Sequence, residues 1–156
     1  MTLKMKKKLK MENKIDKSKM LQSHIILVND AVNFKGTVEG NPSISIDYTP
    51  PLGNNLGYTS LELFLLSLSS CMGTALLAIL RKMRKEISHF EIYAEGERKS
   101  EHPTGFQNIT IMIHVKSDGL TDAEMVRAIQ SMEGICPVLS MVNEKVDVQT
   151  MFQIVS

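Results

Sequence analysis

The sequence predicts an α+β fold in which antiparallel sheets pack around one long, buried central helix, and three observations carry that prediction. The run Leu61–Glu86 (LELFLLSLSSCMGTALLAILRKMRKE) is apolar, free of proline and rich in Leu, Met and Ala, so it reads as a helix of roughly seven turns. Short segments on both sides of it alternate polar and apolar residues, the pattern of half-buried strands. These strands come in runs rather than alternating with helices, in the order βββ-α-ββ-α-α-β, which separates the chain from doubly wound folds.

Each element has its own signal. Ser23–Val28 is apolar and β-branched, Asn29-Asp30 is a turn signal and Ala31–Val38 alternates, which together suggest a hairpin. Ser43–Tyr48 (SISIDY) alternates as a third strand, and the Pro50–Gly57 stretch (PPLGNNLG) forbids regular structure before the helix. Thr59 or Ser60 can cap the helix, and Glu62 sits in its first turn where a carboxylate suits the dipole. Beyond it, Phe90–Arg98 and Phe106–Val115 read as a long antiparallel pair. Asp118-Gly119 is a turn, and Thr121 with Glu124 forms a capping box for a helix running to about Met132. Gly134 stops that helix, Cys136-Pro137 opens a short one to about Asn143, and Val146–Val155 is a closing strand.

From Leu63 to Leu80 no side chain carries a charge, so the helix must be enclosed by protein or by lipid. Ser67, Ser69, Ser70, Thr74 and Gly73 thin the hydrophobicity, and no second candidate span exists, so a core helix is expected and a membrane is not. With 156 residues and 43% apolar content, the chain suits one domain with a substantial core. Residues 1–20 hold eight lysines against Glu12 and Asp16, about +6, which leaves about −5 of the total +1 for the remainder. We therefore read 1–21 as a basic, solvated arm and 22–156 as the folded domain. Without aromatic residues or arginine, the arm is a poor candidate for nucleic-acid recognition. No secretory signal is visible, so a reducing cytoplasm is expected.

No nucleotide loop, Cys-x-x-Cys or histidine cluster is present, and neither a cofactor nor a metal is expected. Chemistry therefore rests on the two cysteines, Cys71 and Cys136. Cys71 lies mid-helix, where the dipole gives it nothing, whereas Cys136 precedes a helix-starting proline and stands at an N-cap that favours an anion. On these grounds Cys136 is expected to be the more acidic thiol and Cys71 the more buried. Two inert core cysteines are the plain alternative. Met72, Met83, Met125, Met132 and Met141 read as core filler rather than as an oxidant sink.

The run Ser60–Cys71 (SLELFLLSLSSC), Leu80–Arg84 (LRKMR), Glu95–Arg98 (EGER), Glu101–Pro103 (EHP) and Ile135–Val138 (ICPV) with its closing strand resembles the OsmC/Ohr family of thiol-dependent hydroperoxide reductases, over residues 22–156. The resemblance implies an intertwined homodimer with two active sites at the subunit interface. It makes Cys71 the attacking cysteine and Cys136 the resolving one, acting on organic hydroperoxides with a dithiol reductant to restore the pair. In the family an arginine from an N-terminal strand and a glutamate at the start of the central helix serve the first cysteine. Here no arginine precedes Arg81, and Leu61 stands at the glutamate position, so Lys35 and Glu62 are the nearest candidates. Three functions follow: a cysteine-based peroxidase, an OsmC-like protein that binds a small molecule without turnover, or an interaction protein acting through its basic arm.

Overall fold

A computed structural model describes residues 16–155, so most of the lysine-rich arm lies outside the described residues. The chain divides after Thr59 into two compact units.

The N-terminal unit holds strands β1 (His24–Leu27), β2 (Phe34–Thr37) and β3 (Ile44–Ile46), an antiparallel sheet in that order. The first hairpin has a longer connection than a two-residue turn. The Asn29 side chain accepts hydrogen bonds from the backbone N–H groups of Ala31 and Asn33, each 3.0 Å, and thereby takes donors that a strand would need. Regular pairing resumes only at Phe34, opposite Leu27. After β3 the buried Asp47 carboxylate accepts backbone N–H bonds from Tyr48, Asn54 and Leu56 at 2.7, 3.1 and 3.0 Å. Burial alone would raise the Asp47 pKa, but these three donors outweigh it and hold the carboxyl below its usual range. The Pro-rich loop is thus ordered around one charge.

The C-terminal unit holds helix α1 (Ser60–Lys82), strands β4 (His89–Arg98) and β5 (Phe106–Lys116), helices α2 (Asp122–Glu133) and α3 (Pro137–Ser140), and strand β6 (Asp147–Ile154). All nine expected elements are present. Helix α1 stops before Glu86 because Arg84 takes a left-handed conformation, φ 60°, and Lys85 N–H bonds back to the Leu80 carbonyl at 3.1 Å. Lys85 Nζ then meets Gly119 O at 2.6 Å and Glu124 Oε2 at 2.8 Å, tying the end of α1 to the capping box of α2.

β4 pairs antiparallel with β5, as expected, but β6 runs parallel to β5. A parallel neighbour needs a crossover, and α2 with α3 supplies it. The sheet is therefore mixed. Its central strand β5 sends Ile109, Ile111, Ile113 and Val115 into the core, alternate residues on one face. They meet Leu68, Met72, Leu76 and Leu80, the i, i+4 stripe of α1, and Met125, Ala128, Ile129 and Met132 of α2. Gly73 lets α1 lie close to β4, since a Cβ there would come within 3.2 Å of the Ile92 side chain.

The burial of the central helix is one-sided within the chain. Within a single subunit it is buried along one stripe and not on all faces: Leu66 is 55% exposed, and Ser67, Ser70, Thr74 and Ala78 are exposed with it. Among the described residues it is also the one helix long and apolar enough to cross a membrane.

Candidate thiol site

Two residues that are 65 positions apart in sequence meet in the C-terminal unit. Cys136 Sγ lies 2.9 Å from Cys71 Sγ, and both are free thiols. Helix α1 carries Cys71 on the flank of its buried stripe, next to Met72. The crossover carries Cys136, because the chain leaves α2 at Gly134 and must turn into α3 before β6 begins. Pro137 at the first helical position leaves Cys136 as N-cap with extended backbone, φ −77° and ψ 109°. Its sulfur accepts a hydrogen bond from Leu139 N–H at 3.5 Å and donates toward Cys71.

The burial of the two thiols is the reverse of the expected order. Cys136 is 1% exposed, whereas Cys71 is half-buried. Enclosure between α2, α3 and α1 outweighs what one short helix terminus gives. Burial, followed by the hydrogen bond with Cys71, raises the Cys136 pKa above the ordinary thiol value, and the Leu139 N–H only partly opposes this. Cys71 is the sulfur that an incoming molecule can reach.

The other two predicted residues are not part of this contact. Glu62 lies in the first turn of α1, nine residues before Cys71, which on a helix is about 13.5 Å along the axis and half a turn out of phase. Lys35 is an exposed residue of β2 in the N-terminal unit. Among the described residues no group of three His, Cys, Asp or Glu side chains could hold a metal.

An apolar pocket of about 190 Å³ lies beside the N-terminal half of α1, and sequence reasoning did not find it. Phe64, Phe106, Val142 and Val146 wall it, with Met141 among its lining residues. Phe64 precedes Cys71 by seven residues, about 10.5 Å and within roughly 20° of the same helix face. The Phe106 ring, tilted 35° to Phe64 at 6.0 Å, lies over Gly96 of β4, where any Cβ would collide with it. An isolated glycine in an alternating strand (EGE) was the one signal that pointed there.

A profile of the family described as OsmC-like protein matches residues 53–151, well over half of the chain. The chain belongs to the OsmC family. Solved structures agree with its fold. A hypothetical protein from Aquifex aeolicus VF5 superposes with a TM-score of 0.75 at 23% identity, over 87% of this chain and 96% of that one. An OsmC-like protein from Mycoplasma pneumoniae gives 0.77 at 15%, over 88% and 98%. The organic hydroperoxide resistance protein OhrB of Bacillus subtilis gives 0.62 at 18%, over 86% and 98%. No curated protein matches the chain.

Proposed function

We propose that this OsmC-family protein reduces organic hydroperoxides through the Cys71–Cys136 pair, as a homodimer that is recharged by a dithiol. The observation that carries the reading is the 2.9 Å approach of one accessible and one enclosed sulfur. A Cys71 thiolate attacks the outer oxygen of the hydroperoxide. The O–O bond breaks, the alkoxide leaves with a proton as alcohol, and Cys71 keeps the oxygen as a sulfenic acid. Cys136 then attacks the Cys71 sulfur, water leaves and a disulfide forms. Two thiols of an external reductant return both cysteines to the starting state. Low exposure of Cys136 suits a resolving thiol, which meets only its partner.

The unburied side of α1 supports a second copy, as does β1, where Ile25, Ile26 and Leu27 are each more than half exposed. A dimer would cover both, with Lys35, Glu62 or a residue of the partner subunit serving to activate Cys71. Binding without turnover is the second reading, and the pocket beside α1 favours it. One titration separates the two. Purified protein receives an organic hydroperoxide and the Cys71 peptide is weighed. A stoichiometric gain of sulfenic acid or of a Cys71–Cys136 disulfide is expected, with no repeated turnover of peroxide in Cys71→Ser. Full peroxide consumption by Cys71→Ser would refute the peroxidase reading.

A further inference from the structure

Among the methionines read from sequence as core filler, one has a different place. Met72, Met125 and Met132 are 0% exposed, but Met141 is 74% exposed, the highest value among the exposed methionines. It follows α3 directly, with its backbone N–H bonded to Val138 O at 3.1 Å, and it is among the residues that line the apolar pocket with Phe64 and Phe106. A flexible thioether thus stands where apolar surface and solvent meet.

We propose that Met141 is an oxidation site of this protein, modified preferentially by hydroperoxides whose organic part enters the pocket. An open pocket of about 190 Å³ with an apolar lining has room for a compact organic group. An aryl hydroperoxide seated there would bring its O–O bond to the open rim, where Met141 stands. The thioether sulfur attacks the outer oxygen, the S–O bond forms as the O–O bond breaks, and the hydroperoxide proton passes to the departing oxygen. The products are methionine sulfoxide and the alcohol: sulfur gives up two electrons and the peroxide accepts them. The sulfoxide places a strong dipole on the pocket wall, so one oxidation discourages the next apolar occupant. A methionine sulfoxide reductase would restore the site.

The inference takes its oxidant class from the hydroperoxide reading, but the two fail separately, because Cys71 and Met141 report on different peptides. Met20 and Met151, 59% and 43% exposed and not among the residues lining this pocket, are internal controls. The full-length protein is treated with cumene hydroperoxide or with hydrogen peroxide, and sulfoxide is followed at all three methionines by peptide mass. With the aryl hydroperoxide Met141 should lead the controls by about tenfold, the ratio that ~1.4 kcal/mol of preferential binding sets. The corresponding alcohol, added in excess, should slow Met141 and leave Met20 unaffected. With hydrogen peroxide the lead should shrink toward the order of exposure. Equal rates at the three methionines with the aryl hydroperoxide, or no protection by the alcohol, would overturn the proposal whatever happens at Cys71.

Discussion

Gly96→Ala tests whether packing of Phe106 on the β4 backbone shapes the pocket. The added methyl would lie inside the van der Waals distance of the Phe106 ring, against Cδ1 and Cε1 and 3.0 Å from Cζ. That ring is 9% exposed and packs on Phe64 at 6.0 Å, so displacing it disturbs that contact and narrows the pocket. Forcing one methyl group into a filled site costs about 1–3 kcal/mol. At about 2 kcal/mol, and with 2–4 °C per kcal/mol for a chain of this size, the melting temperature should fall by roughly 4–8 °C. Urea denaturation should show a lower midpoint with unchanged slope. The collision is then removed in the double variant Gly96→Ala/Phe106→Leu, which should be no less stable than Phe106→Leu alone. A loss under about 0.5 kcal/mol in Gly96→Ala, or strict additivity in the double variant, would show that the ring does not depend on the glycine.

Cys136→Ser should allow one turnover and leave Cys71 as sulfenic or more highly oxidised acid, read by mass; a second turnover at the wild-type rate would exclude Cys136 as the resolving thiol. Because burial keeps the proton on Cys136, disulfide formation after one equivalent of oxidant should go on accelerating as pH rises past neutrality, and a plateau below about pH 8 would contradict the raised thiol. Glu124 is held at about 2, chiefly by Lys85 and then by the Thr121 cap, against a usual 4.5. Its contribution is present above pH 4.5 and is lost as pH falls toward 2. In Lys85→Met that protection weakens, so the acid-unfolding midpoint followed by circular dichroism should move up by roughly half a pH unit or more, and an unchanged midpoint would discount the pair.

Local signals read from the sequence sufficed for the order and type of the elements. Thr121 and Glu124 form the capping box, Pro137 starts α3, and the isoleucines of β5 alternate into the core as written. Features set by the path of the chain through space were not legible. β6 alternates as any half-buried strand does, and nothing in Val146–Val155 says whether its neighbour runs with it or against it. The same limit applied to the thiols. An N-cap position argues for an acidic Cys136, but enclosure by three helices, which only the crossover creates, decides the opposite. Met141 looks like its buried counterparts in composition, and its exposure comes from lying just past a helix of one turn. The apolar run of α1 calls for enclosure on all sides. One subunit encloses one stripe, and a charge-free segment does not say which molecule covers the rest.

The crossover that delivers Cys136 has a mechanical consequence. A disulfide bond is about 2.05 Å long, so sulfurs already at 2.9 Å close by less than an ångström. Amide exchange in α1 and α3 should therefore be nearly the same in the reduced and oxidised protein.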